Sequence, residues 1–97
     1  MITENLKTNA SLEASHIELG KFYFLNDKYD EAVAEFKKAI EINPSNAEAY
    51  YNIGLIKESS NLICEAKEMY QKAVNINSEY KIAKDRLAKL IGVEIKD

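Results

Sequence analysis

Glu31-Ala32-Val33-Ala34-Glu35-Phe36-Lys37-Lys38-Ala39-Ile40-Glu41-Ile42-Asn43 returns, 34 residues on, as Glu65-Ala66-Lys67-Glu68-Met69-Tyr70-Gln71-Lys72-Ala73-Val74-Asn75-Ile76-Asn77. Glu, Ala, Lys, Ala, Ile and Asn recur at identical steps, and Phe36 answers Tyr70 as Ile40 answers Val74. Working outward, Leu19-Gly20 stands in the same register as Ile53-Gly54. The matches fall at small or apolar positions, where packing dictates the residue, so the shift marks a structural period.

The period is built of helices. Residues 12–25 and 29–42 each space their apolar residues near 3.6, as amphipathic helices require. The pattern predicts helices near 12–25, 29–42, 46–59, 62–75 and 79–91, paired antiparallel in chain order. Gly20 and Gly54 fall mid-helix, where each costs about 1 kcal/mol against Ala. That cost is expected where two helices cross too closely for a β-carbon, with Ala32, Ala39, Ala66 and Ala73 as the small surface opposite. Ser45 and Glu48 have the spacing of a capping box for the third helix, and Pro44 cannot continue the second. Asp27 and Asn61, again 34 apart, are expected to cap the second and fourth helices. Ile82, Leu87, Leu90 and Ile91 give residues 79–91 the first half of a third unit, which Gly92 stops ahead of a short tail. Residues 1–11 carry few apolar anchors and read as an extra turn or a frayed end.

Composition agrees and excludes much else. At 97 residues the chain holds one domain, and 46% hydrophobic with 30% charged residues is too apolar for a disordered segment. Three Gly and one Pro are too few for the turns of an all-β fold. No apolar run approaches the roughly 18–20 residues that span a bilayer. The opening Met1-Ile2-Thr3-Glu4 has no leader pattern, so a cytoplasmic protein without membrane contact is expected. A net charge of −3 gives no electrostatic reason to expect nucleic acid. Residues 1–50 hold nine acidic and five basic side chains, whereas residues 51–97 hold seven and eight. Lys81, Lys84, Arg86 and Lys89 make most of that swing and read as a solvated helix, with an anionic peptide end docking there as the sharper alternative.

A 34-residue period with this pattern resembles the tetratricopeptide repeat (TPR) family. That family favours an aromatic, Leu-Gly and Tyr on its first helix, then Ala, an aromatic, Ala and Pro on and after its second. Residues 13–46 offer His16, Leu19-Gly20, Tyr23, Ala32, Phe36, Ala39 and Pro44; residues 47–80 offer Tyr50, Ile53-Gly54, Lys57, Ala66, Tyr70, Ala73 and Ser78. Tyr29-Asp30-Glu31-Ala32 is the family's typical entry into the second helix. His16, Lys57 and Ser78 depart from the pattern, and Leu87-Ala88 replaces Leu-Gly in the third unit. The resemblance implies an all-α helix-turn-helix solenoid of two full repeats and a capping helix, curved into a right-handed superhelix.

It also implies a function: first helices line a concave face that binds extended peptides. The inward positions carried onto this chain are Ile17, Lys21 and Phe24, then Tyr51, Asn52 and Leu55, then Ile82, Asp85, Arg86 and Lys89. Ile17, Phe24, Tyr51, Leu55 and Ile82 would form an apolar patch with a charged rim. Tyr51 would be its central anchor, turned away from the helix-pair core. Some members clamp a C-terminal carboxylate with five polar side chains. Asn52 and Arg86 match that set, whereas Ile17, Lys21 and Ile82 do not, which leaves a looser anion site at Lys21, Arg86 and Lys89. The alternative is self-covering by residues 1–11, the tail or a second copy, which makes the chain a self-assembling unit.

Catalysis has little to work with. His16 is the single histidine and lacks a second ligand nearby, so no metal is expected, and no cofactor either; a polar ring at an exposed repeat edge is the simpler reading. The three glycines are isolated, so no phosphate loop exists. Asp30, Glu31 and Glu35 are expected to point outward, with no cleft to separate two carboxyl pKa values. Cys64 reads as a plain, partly exposed thiol in the first turn of the fourth helix. Asn9-Ala10-Ser11 matches the glycosylation sequon by chance.

Overall fold

The computed structural model of the chain describes residues 8–92. Five helices follow one another: α1 (Asn9–Leu25), α2 (Tyr29–Ile42), α3 (Ala47–Ser59), α4 (Ile63–Ile76) and α5 (Lys81–Ile91), and no strand occurs among the described residues. The chain divides into two compact units, Met1–Ser45 and Asn46–Asp97. In the first, α1 packs against α2; in the second, α4 packs against both α3 and α5. The all-α helix-turn-helix architecture expected from the register is therefore present.

Each helix pair closes on a glycine. A β-carbon built on Gly20 would lie 2.6 Å from Phe36 Cε1, and one on Gly54 would lie 2.5 Å from Tyr70 Cε1. Phe36 and Tyr70 are the largest fully buried side chains. The glycines thus admit an aromatic ring of the second helix, and the fully buried Ala32, Ala39, Ala66 and Ala73 flank it. In Asn46–Asp97 the core is Tyr51, Ala66, Tyr70, Ala73 and Ala83, with Tyr80, Leu87 and Leu90 of the α5 region packed against it.

Several helix ends differ from the sequence reading, each for a local reason. Asp27 and Asn61 do not cap α2 and α4; both adopt left-handed backbone, at φ 60 and 63. They end the preceding helix: Lys28 N donates to Tyr23 O and Asp27 N to Phe24 O, as Leu62 N does to Lys57 O and Asn61 N to Glu58 O. This is the Schellman arrangement, with Asp and Asn where Gly is commonest. The cap of α3 is Asn46, whose side chain accepts from Ala49 N at 2.9 Å. Ser45 is diverted because its own N–H donates to Asn43 Oδ1. Asn77 repeats that turn 34 residues later, accepting from Glu79 N, and so delays α5 to Lys81. Thr8 caps α1 by accepting from Ser11 N, so residues 9–11 are an extra helical turn. The remaining readings of the N-terminal segment and of the tail after Gly92 lie outside the described residues.

The candidate interaction face of α3 and α5

In the second unit α3 and α5 are joined by side chains. The Tyr51 ring of α3 lies 5.5 Å from the Tyr80 ring, which leads into α5, and 5.7 Å from the Tyr70 ring of α4. Glu58, near the end of α3, accepts from the Tyr70 hydroxyl at 2.7 Å and from Arg86 Nη1 of α5 at 3.0 Å, both on Oε1. Burial raises the Tyr70 pKa, and its bond to Glu58 raises it further. Burial alone would lower the Arg86 pKa, but Glu58 together with Tyr70 and Tyr51 holds it above the ordinary value. One carboxylate therefore anchors both neighbouring helices. Neither Glu58 nor Tyr80 has a counterpart one repeat earlier (residues 24 and 46 are Phe and Asn), so register alone could not mark them.

Three residues expected on the binding surface are placed otherwise. Tyr51 belongs to the buried core, not to a face turned away from it; α5 arrives with Tyr80 and closes over its ring. Ile17 is also buried. Asn52 is only 7% exposed, and its Nδ2 is a buried donor without a hydrogen-bond partner. Leu55 is half-buried at the rim of the core, while Ile82 and Lys89 of α5 are exposed. Arg86 is half-buried and engaged by Glu58 at 3.0 Å. On α1, Phe24 stacks on Tyr29 at 5.6 Å and Lys21 lies 3.8 Å from Glu18.

The outward reading of Glu35 is corrected too. His16 Nδ1 lies 2.7 Å from Glu35 Oε1, and Lys38 donates to Glu35 Oε2 at 3.2 Å. Glu35 is buried rather than outward-facing. Burial acts to raise its pKa, but the bonds to His16 and Lys38 outweigh that and lower it. The pair ties α1 to α2. Cys64 is exposed in the first turn of α4. Among the described residues no group of three His, Cys, Asp or Glu side chains could hold a metal ion. No described helix is long and apolar enough to cross a membrane.

Comparison with known proteins agrees with the register. Residues 14–60 match the family model described as TPR repeat, and residues 47–80 match that described as Tetratricopeptide repeat. The chain is 31% identical over 65 residues to the Homo sapiens protein O-mannosyl-transferase TMTC1, covering 67% of this chain and 7% of that protein. It is 32% identical over 79 residues to the uncharacterized protein ycf37 of Guillardia theta, 81% of this chain and 44% of that one. It is 34% identical over 82 residues to the probable UDP-N-acetylglucosamine–peptide N-acetylglucosaminyltransferase SPINDLY of Arabidopsis thaliana, 84% of this chain and 9% of that one. The chain thus spans less than half the length of each of these relatives. With both repeats matched and the glycine-on-aromatic packing present in each, the chain belongs to the tetratricopeptide repeat family, whose repeats are non-catalytic protein–protein interaction modules.

Proposed function

We propose that this chain is a non-catalytic module that holds an extended segment of another protein, in the second unit on the face where α3 and α5 meet. The observation that carries the reading is the Asn52 amide: a buried donor left without an acceptor. Leaving such a group unpaired costs about 1–3 kcal/mol, which a peptide carbonyl would recover once the Asn52 side chain turns its amide to the surface. Leu55 and Ile82 would supply apolar contact, with Lys89 and the outer edge of Arg86 as a polar rim. Tyr51 would shape the face from beneath, as Ile17 would on α1, where Lys21 and Phe24 are the corresponding contacts. The transferase names of two relatives belong to proteins of which this chain spans 7% and 9%, so no transfer chemistry is proposed. The exposed thiol of Cys64 suits a reducing compartment, and the cytoplasm is part of the same proposal.

The test is selection of displayed random peptides on the immobilised full chain, followed by calorimetry. Selected peptides should bind Asn52→Ala about tenfold more weakly or worse, and Leu55→Glu likewise, with the helical circular-dichroism signal retained. Lys84→Ala, exposed on α5, should change nothing. Failure to enrich any peptide, or binding indifferent to both variants, contradicts the proposal.

A further inference from the structure

One ion pair crosses the α3–α5 face between the residues proposed to touch a peptide. Leu55 and Glu58 lie one turn apart on α3, and Arg86 lies one turn from both Ile82 and Lys89 on α5. The Glu58 carboxylate meets the Arg86 guanidinium at 3.0 Å, and neither is fully covered: the Arg86 side chain is 40% and that of Glu58 27% exposed. Glu58 is held where it stands. The oxygen that accepts from Arg86 also accepts from the Tyr70 hydroxyl at 2.7 Å, and Tyr70 is fully buried. Turning the carboxylate aside would strand that hydroxyl, with the desolvation cost of a buried, unpaired donor. One repeat earlier the two positions hold Phe24 and Asn52, so the pair is particular to this face and not part of the repeat pattern.

Resting on the peptide-binding reading of this face, we propose that Glu58 is its specificity-determining residue: it takes the place of a partner's carboxylate on Arg86, and so selects segments that are uncharged where they cross the pair. An acidic side chain brought to Arg86 meets a guanidinium that already carries a carboxylate. It must share the cation beside a like charge, which is repulsive at that distance, or displace Glu58 and strand the Tyr70 hydroxyl. An uncharged side chain meets neither penalty. Selection of this kind comes from the penalty on the wrong ligand and not from a stronger hold on the right one. Glu58→Gln isolates the charge. The Gln carbonyl keeps an acceptor for Tyr70 while the negative charge is lost, and Arg86 becomes an uncompensated cation on the face.

Random displayed peptides selected in parallel on the immobilised full chain and on its Glu58→Gln variant test this. Asp and Glu should be about threefold or more commoner in the variant's pool than in the parent's. Calorimetry then compares an acidic peptide from the variant's pool with its copy carrying the matching amide. Glu58→Gln should prefer the acid about tenfold, less so at raised salt, whereas the parent should bind the two within about threefold of each other. Adding Arg86→Gln to Glu58→Gln should abolish the preference, which separates Arg86 from its neighbour Lys89. Should Glu58→Gln lose its helical signal, Arg86→Gln alone is the mirror test: it bares the Glu58 charge and should enrich Lys and Arg about threefold. Pools of equal acidic content on the parent and Glu58→Gln overturn this proposal while the peptide-binding reading stands, and so does an acid preference that survives the loss of Arg86. Enrichment of no peptide on any of these chains overturns both.

Discussion

Gly54 sits under a ring that cannot retreat: Tyr70 is fully buried and its hydroxyl is held by Glu58. Gly54→Ala gains about 1 kcal/mol of helix propensity but forces a β-carbon to within 2.5 Å of that ring. Overpacking of this kind costs about 1–3 kcal/mol, so denaturant melts should show a net loss. The tyrosines give a second residue-scale expectation. Burial, with Glu48 and Tyr51 nearby, pushes the Tyr80 pKa up to about 12, and burial with Glu58 raises that of Tyr70. In the unfolded chain both ionise near 10. The folded state therefore keeps its protons longer; the stability these groups give is complete below about pH 10 and declines as pH rises from there through about 12. Thermal midpoints measured from pH 9 to 11.5 should fall, and Tyr80→Phe should flatten the fall. Tyr51 shows why such environments were not legible. Repeat register assigns a face from two helices, whereas Tyr80 arrives from the lead-in to α5, at the last position of the second repeat and outside both of its helices. Glu35 was misread for a related reason: register places it outward, but His16 stands where the family has a large aromatic, and its ring nitrogen draws the carboxylate in.

Among the elements, the two turns inside the helix pairs are the strained points. Asn61 holds φ 63 in an exposed turn, a conformation open to glycine at no steric cost. Asn61→Gly should therefore stabilise the chain, by about 0.5–1 kcal/mol, or at worst leave it unchanged; a loss in the denaturant midpoint would show that the Asn side chain has a role there. The order and type of all five helices were legible, because a 34-residue repeat of 3.6-spaced apolar residues admits little else. Their ends were less so. Ser45 and Asn46 are adjacent and both competent to cap, and only the Asn43 side chain's bond to Ser45 N decides between them. A polar residue in a three-residue turn is easily read, but the sign of its φ is not. α1 begins three residues earlier than its apolar pattern suggests because Thr8, not an apolar anchor, starts it.

For the molecule as a whole, family and fold could be read from spacing, while the burial of Ile17, Tyr51 and Asn52 could not. Spacing says which residues share a helix face, but the third helix of Asn46–Asp97 decides which faces stay open. Thus Leu55, Ile82 and Lys89 remain accessible where Tyr51 does not. In the proposed mode of binding, the buried Asn52 amide donor takes its acceptor from the partner. The most direct measurement is a ¹⁵N heteronuclear correlation titration of the full chain with a selected peptide, following the Asn52 side-chain NH₂ resonances. A peptide carbonyl seated on Nδ2 should shift those resonances downfield in step with binding, along with backbone amides of α3 and α5, and the side-chain response should vanish in Asn52→Ala. Saturating peptide that leaves the Asn52 side chain unmoved, or perturbs only residues away from α3 and α5, would contradict the account.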